Sequence, residues 1–210
     1  MAKALVIQKS GLLLCEGEDE VSFFSAWLPE LGLDSVQVVA YGGKTKLASF
    51  LADLPKLVGF GNLRRLAITR DADEDADAAA KSLEGAIRRS PPVHQLSPST
   101  MVLPGGGKPG ALESLWIESL TGNPYEECVD QFFECITKKG WQQSQVFAKN
   151  DKARAQLWIA TKETPNDRFG FAAWHGRKDL EKPWMKEKWV NFDHPAFAEL
   201  KQFLFRTFGR

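Results

Sequence analysis

The sequence has 210 residues, enough for one well-buried core or for a core with a smaller appended lobe. Its 27 basic and 27 acidic side chains balance, which excludes the strongly basic class of nucleic-acid binders and confines any polyanion site to a local patch. No apolar run approaches the roughly 20 residues that span a membrane, and the chain does not begin with a signal-peptide pattern. Three cysteines without a C-x-x-C pair and three scattered histidines predict a reduced, cytoplasmic protein without a zinc site.

Strand and helix patterns alternate along the first 120 residues. Short apolar runs bounded by turn residues predict strands at 12–15, 36–40, 66–69 and, more weakly, 100–103. Apolar residues at helical spacing predict helices at 21–31, 45–54, 77–89 and 111–120. Thr45 is the predicted cap of the second helix and Pro55 its end. We therefore expect an α/β fold, with a mostly parallel four-stranded central sheet flanked by helices.

The last 90 residues have mainly helical spacing and contain five of the seven tryptophans. Helices are predicted through 129–136, at 151–161 and from about 197 to 208, the last with Asp193 as its cap. We expect an α/β domain at 1–122 and a mainly helical, Trp-rich C-terminal extension at 123–210. Because no flexible linker separates the two, we expect the extension to pack on the sheet.

The most informative stretch joins the third predicted strand to the acidic run Asp71–Asp77. Asp71 and Asp73 are two residues apart, and such residues project to the same side of an extended backbone. Two adjacent carboxylates repel each other unless a cation lies between them, and Mg²⁺ prefers oxygen ligands. The alternative is an acidic helix start, which explains Asp75 and Asp77 through the favourable helix dipole.

Ligands of open α/β sheets bind at the carboxyl ends of the strands. Those ends carry Glu16, then Gly42-Gly43-Lys44, then Asp71 and Asp73, and finally the loop before Glu113. Acidic groups that follow three separate strands therefore converge on one edge of the predicted sheet. This coincidence favours a functional site over a merely solvated surface. Lys44 and Arg70 lie beside the carboxylates, either to contact a phosphate or to balance charge.

Two glycine-rich segments invite a phosphate-binding interpretation. Gly43-Lys44 is not a Walker A loop, because the required glycine five residues earlier is Val38. The segment Gly105–Lys108 is either a phosphate cradle ahead of the next helix or a flexible connector. Aromatic and basic residues alternate between Trp174 and Lys186, as in single-strand binders or as part of a core.

Glu16-Gly17-x-x-Glu20 after one strand and Asp71-x-Asp73 after another resemble the Toprim domain. This domain is the catalytic module of bacterial primases, topoisomerases, ribosomal-RNA maturases and overcoming-lysogenization-defect nucleases. Its pattern is a glutamate-glycine after the first strand and an aspartate-x-aspartate after the third. The ordered combination, with Gly42-Gly43-Lys44 and Gly110-Ala111-Leu112-Glu113, is similar to a small group of stand-alone Toprim-like proteins. The resemblance covers about residues 8 to 120.

The resemblance implies a Toprim-like Rossmannoid fold and phosphoryl transfer on DNA or RNA, most simply as a nuclease of phage defence or a toxin. Glu16 would be the general acid or base or share a metal, with Lys44 and Arg70 assisting. Mg²⁺ or Mn²⁺ would bind to Asp71 and Asp73, and a second ion to Glu20 and Glu113. The residues expected to contact phosphate are Gly42, Gly43, Lys44 and Lys108.

The sequence departs from the Toprim family in some respects, and other functions remain as alternatives. No tyrosine is placed as a strand-passing nucleophile, and we expect neither the zinc-binding nor the helicase-binding module of a primase. The resemblance therefore implies neither a complete topoisomerase nor a complete primase. The rivals are a non-catalytic Toprim-like binding module, a phosphoesterase that processes nucleotides, and an interaction module whose aromatic part docks a partner ATPase. Oligomers are compatible with each of them.

Overall fold

The computed structural model describes residues 5–120, 124–140, 151–160 and 190–209. The aromatic and basic stretch from Trp174 to Lys186 lies outside these ranges. The chain divides into two compact units, one made of residues 1–109 and 199–210 and the other of residues 110–198. The boundary expected at residue 122 stays a prediction. In the described ranges, no helix has the length and apolar character needed to cross a membrane.

The first unit is built around a sheet of four strands, β1 (Gly11–Cys15), β2 (Val36–Ala40), β3 (Arg65–Asp71) and β4 (Ser99–Leu103). The strands lie in the order β2-β1-β3-β4, and every neighbouring pair is parallel. All residues of β1 are buried, which agrees with its unbroken apolar sequence, since a central parallel strand is covered on both faces. The predicted α/β fold with a parallel four-stranded sheet is confirmed.

The helices of the first unit follow the strands. They are α1 (Glu18–Glu30), α2 (Leu47–Asp53), α3 (Ala76–Arg88) and α4 (Pro91–Gln95), with 3-10 turns at Leu54–Lys56 and Phe60–Asn62. Leu51 of α2 and Leu83 of α3 are buried in one hydrophobic cluster. The same cluster contains Leu12, Leu14 and Ile68 of the central strands. Each such side chain contributes about 1.5–3 kcal/mol relative to an exposed one.

The cap predicted for α2 was wrong: it is Lys46 rather than Thr45, so this helix begins without a side-chain cap. The cap of α3 is Asp75, whose carboxylate accepts a hydrogen bond from the Ala78 N–H at 2.9 Å, and α3 begins within one residue of the predicted start. The segment after Ser90, for which no helix was predicted, forms α4. Its two prolines occupy the first turn, where a missing N–H costs nothing.

The second unit is helical in its described residues. Its helices are α5 (Leu112–Ser119), α6 (Pro124–Lys138) and α7 (Asp151–Ala160), followed by a 3-10 turn at Pro195–Phe197. Arg154 of α7 pairs with Asp130 of α6 at 2.6 Å. The cap of the 3-10 turn is His194, which accepts a hydrogen bond from the Ala196 N–H, and not Asp193 as predicted.

The last helix, α8 (Ala198–Phe208), belongs almost entirely to the first unit. The Arg65 guanidinium at the start of β3 donates hydrogen bonds of 2.7 Å to the carbonyls of Phe208 and Gly209. A cation at a helix C-terminus satisfies carbonyls that lack partners inside the helix. The carboxyl end of α8 is therefore held at the amino edge of the sheet, away from the strand ends that carry the acidic residues.

Candidate functional site

Glu16 directly follows β1, and the segment after β2 wraps around it. Its Oε1 accepts a hydrogen bond from the Lys44 N–H at 3.1 Å. Its carbonyl oxygen accepts hydrogen bonds from the N–H groups of Gly42 and Gly43, at 3.1 and 2.9 Å. The two glycines have φ values of 87° and 104°, which side-chain-bearing residues rarely adopt. The two glycines are therefore needed to bring this loop against Glu16.

The other carboxylate oxygen of Glu16 is buried and has no hydrogen-bond partner in the described part of the chain. Arg70 of β3 resembles it in this respect, because its Nε is also buried without a partner while its Nη1 donates to the Ser82 hydroxyl at 2.7 Å. The register that pairs Leu14 with Ile68 brings Glu16 and Arg70 to the same level of adjacent strands. Unsatisfied buried polar atoms are uncommon and mark places where water, an ion or a ligand binds.

The two aspartates after β3 differ in environment. Asp71, the last residue of the strand, is only 4% exposed, whereas Asp73 is exposed with φ of 52°. The strand ends at Asp71 and the backbone of Asp73 is left-handed rather than extended, so the relative direction of the two side chains stays a prediction. The acidic run is therefore buried at its first residue and exposed at Asp73. Asp75 and Asp77 occupy the start of α3, as the alternative interpretation proposed.

Lys44 joins the two outer strand ends of this site. Its Nζ lies 3.0 Å from Asp73 Oδ2, and both side chains are about half exposed, at 56% and 52%. The hydrogen bond and charge of Asp73 raise the pKa of Lys44, with a smaller contribution from Glu16 and an opposing one from Arg70. Because β1 lies between β2 and β3, the ion pair spans the end of β1 that carries Glu16.

Tyr41 is a residue of this site that the sequence interpretation missed. It is 3% exposed, and its hydroxyl donates a hydrogen bond of 3.1 Å to the Thr69 carbonyl. Burial is the largest cause of its raised pKa, followed by the charge of Glu16; Arg70 opposes this shift and Asp71 adds to it. The tyrosine therefore stays protonated and ties the end of β2 to β3. A tyrosine just before Gly-Gly at a strand end was the available signal.

The remaining predicted ligands have other contacts. Glu20 is 7% exposed, and its Oε2 accepts a hydrogen bond from the Gly17 N–H at 3.0 Å, which stabilises the first turn of α1. Glu113 belongs to the second unit, is 6% exposed and lies 3.8 Å from Lys152 Nζ. Their roles at a second metal ion stay predictions.

The segment Gly105–Lys108 forms a tight turn after β4. The Lys108 N–H donates a hydrogen bond of 3.1 Å to the Gly105 carbonyl, and the Lys108 side chain is exposed. Gly105 has φ of 105°, and a Cβ placed there would lie 2.6 Å from Glu199 Oε2. A carboxylate against the first residue of the turn opposes phosphate binding at that point, so the role of Lys108 stays a prediction.

The carboxylates of the site fit a hard divalent cation in their chemistry. Glu16 and Asp71 offer oxygen ligands from adjacent strand ends. The buried Glu16 Oε2 can bind a cation, because it accepts no hydrogen bond in the described residues. In the described ranges, however, no three His, Cys, Asp or Glu side chains are arranged to hold a metal ion. Asp73, the third predicted donor, is paired with Lys44. Binding of Mg²⁺ or Mn²⁺ stays a prediction.

Cys15 is the last residue of β1 and immediately precedes Glu16, and its buried thiol leads to a prediction about how stability depends on pH. Burial raises the pKa of its thiol, and the nearby carboxylates of Glu20, Glu18 and Asp71 add to this effect. The unfolded thiol ionises near pH 8.5, whereas the folded thiol keeps its proton. The free energy of unfolding therefore falls above about pH 8.5, by up to about 1.4 kcal/mol per pH unit from this group.

Urea unfolding between pH 7.5 and 10 measures this effect. The free energy of unfolding should decline less steeply with pH in Cys15→Ala than in the wild type; an unchanged decline contradicts the prediction. The exposed Cys128 offers Cys128→Ala as the control, which should decline like the wild type.

One family model matches nearly the whole chain. Residues 10–209 match the model of a family described as "Protein of unknown function (DUF3226)". No curated protein and no solved structure matches the chain. The matched range includes the sheet, the carboxylates at its edge and the described helices of the second unit. The chain belongs to the DUF3226 family.

Proposed function

We propose that this chain is a metal-dependent nuclease that transfers a phosphoryl group of DNA or RNA to water at the carboxyl edge of its sheet. The observation that carries the proposal is Glu16, whose Oε2 is buried without a hydrogen-bond partner in the described residues. Three charged residues lie near it at the adjacent strand ends. Asp71 offers negative charge to a cation, and Lys44 and Arg70 offer positive charge to a phosphate. The ordered Glu-Gly and Asp-x-Asp motifs, which resemble Toprim enzymes, support the same chemistry.

Each residue of the site has a separate task in this proposal. Asp71 and Asp73 would hold Mg²⁺ or Mn²⁺, which when bound polarises the phosphate and lowers the pKa of a water ligand. Glu16 accepts or returns a proton at its buried Oε2. Lys44 and Arg70 place positive charge where the phosphate gains negative charge. By the same resemblance, we propose a cytoplasmic role in phage defence.

A second candidate is a non-catalytic Toprim-like module that binds nucleic acid or a partner such as an ATPase. The observation that favours it is the pairing of Asp73 with Lys44, together with the lack of a three-donor metal group in the described ranges. This candidate needs no divalent cation. It therefore predicts nucleic-acid binding that is insensitive to Asp71→Asn, whereas the nuclease loses its cation and its cleavage.

The test measures binding of Mg²⁺ and Mn²⁺ by calorimetry, for the wild type and for Asp71→Asn/Asp73→Asn. The same samples are incubated with labelled single- and double-stranded DNA and RNA and with free nucleotides, with and without EDTA. We expect wild-type cation binding and EDTA-sensitive cleavage of a polymer, both lost in the double variant. Cleavage of free nucleotides alone supports a phosphoesterase, and binding of nucleic acid without cleavage supports the non-catalytic module. Absence of cation binding at millimolar concentration contradicts the proposal.

A further inference from the structure

The ion pair between Lys44 and Asp73 lies where the proposed cation needs an oxygen ligand. The Lys44 ammonium contacts Asp73 Oδ2 at 3.0 Å, while the backbone of the same residue contacts Glu16 Oε1 at 3.1 Å. One residue therefore holds both a carboxylate that is proposed to bind the cation and one proposed to transfer the proton. The positive charges of the ammonium and of a divalent cation repel each other, so the two compete for the carboxylate of Asp73.

We propose that Lys44 is an exchangeable internal cation: a divalent cation displaces its ammonium from Asp73, and the released ammonium then binds the phosphate of the substrate. This inference rests on the proposed function and adds how the site is regulated. Binding of the cation and of the phosphate become coupled, because the first event frees a ligand for the second. By linkage, the phosphate then strengthens cation binding by the same factor.

The surroundings of Lys44 make the exchange feasible. Both partners of the ion pair are about half exposed, and exposed ion pairs contribute little to stability, so a divalent cation competes against a weak contact. The side chain extends from a loop that contains Gly42 and Gly43, and these two glycines have no side chains to crowd it. The side chain can therefore swing while the Lys44 N–H stays on Glu16.

The described residues contain no three His, Cys, Asp or Glu side chains arranged to hold a metal ion. The Lys44 ammonium neutralises Asp73, the exposed carboxylate that the divalent cation would need. Two carboxylates repel each other unless a cation or a shared proton lies between them. In this structure Lys44 therefore takes the position at Asp73 that the divalent cation would take.

The test compares Mn²⁺ affinity by calorimetry among the wild type, Lys44→Met and Lys46→Met. Lys46 is exposed, lies at the end of the same loop and carries the same charge. Its ammonium forms no ion pair with a carboxylate in the described residues, so it controls for long-range electrostatics. We expect Lys44→Met to bind Mn²⁺ about two- to fivefold more tightly, the range that an exposed ion pair allows, and Lys46→Met to match the wild type. A non-cleavable phosphorothioate oligonucleotide should tighten Mn²⁺ binding less in Lys44→Met than in the wild type.

The outcomes separate this inference from the proposed function. Unchanged or weaker Mn²⁺ binding by Lys44→Met overturns the exchange, while the nuclease proposal stands as long as the wild type binds Mn²⁺. Equal tightening in Lys44→Met and Lys46→Met also overturns it, because the effect is then one of total charge. Failure of the wild type to bind Mn²⁺ at all contradicts the proposed function itself.

Discussion

Replacement of Glu16 by glutamine is expected to reduce nucleic-acid cleavage by about 100-fold or more, the usual contribution of a general acid or base. The substitution keeps the shape of the side chain and an oxygen that can accept the Lys44 N–H, so the loop of Gly42 and Gly43 should remain in place. What is lost is the negative charge at the buried Oε2, which has no hydrogen-bond partner in the described residues. Initial cleavage rates at saturating Mn²⁺ measure the effect.

The control for this experiment is Glu18→Gln. Glu18 is two residues away, is exposed and is the first residue of α1, so the same charge is removed from the same segment without touching the strand end. We expect its rate to stay within about twofold of the wild type, since surface changes usually have small effects. A Glu16→Gln protein that is folded by circular dichroism and retains half of the wild-type rate contradicts the role proposed for Glu16.

Replacement of Gly59 by alanine is expected to destabilise the chain by about 3 kcal/mol or more. Gly59 has φ of 91°, and a Cβ there would overlap the carbonyl oxygen of Ile7. Ile7 cannot retreat easily, because it is 3% exposed in the main core and its N–H donates to the Val58 carbonyl at 2.9 Å. The substitution thus combines backbone strain with displacement of a buried segment. Urea unfolding measures the change as a lower midpoint.

Gly32→Ala is the matched control for Gly59→Ala. Gly32 follows the end of α1 with φ of 69°, but no atom lies within 4 Å of a Cβ at this position. Only the left-handed backbone then opposes alanine, at a cost of about 1 kcal/mol. Equal losses in the two variants would mean that the contact with Ile7 contributes nothing, and they would contradict the prediction.

The strands and most helices of the first unit were predictable because their residues repeat at the spacing of the element they form. The unbroken apolar run at Leu12–Leu14 predicts a central strand, and β1 does lie between two other strands. Elements without such spacing were missed: α4 contains two prolines and one buried side chain, Val93. Ser90, the residue before α4, donates a hydrogen bond of 2.8 Å from its hydroxyl to the carbonyl of Leu51 in α2. Contacts of this kind cannot be inferred from local sequence.

The nearness of Glu16 and Asp71 was predictable, but the contacts of the residues around them were not. Parallel strands direct their carboxyl ends to one edge, so Glu16 and Asp71 had to be neighbours if the strand pattern was right. The pairing of Lys44 with Asp73 depends on a left-handed turn at Asp73 and on the strand order β2-β1-β3. Neither of these is visible as a spacing in the sequence.

The sequence by itself determined the α/β class, the parallel sheet and the edge on which the acidic residues meet, because periodicity and chain order decide these properties. Tertiary structure decided which groups are buried and paired. It placed Asp71 inside and Asp73 outside, paired Lys44 with Asp73, and held α8 with the sheet through Arg65. The physical reason is that burial and ion pairing depend on residues distant in the chain, which become neighbours only when the strands assemble.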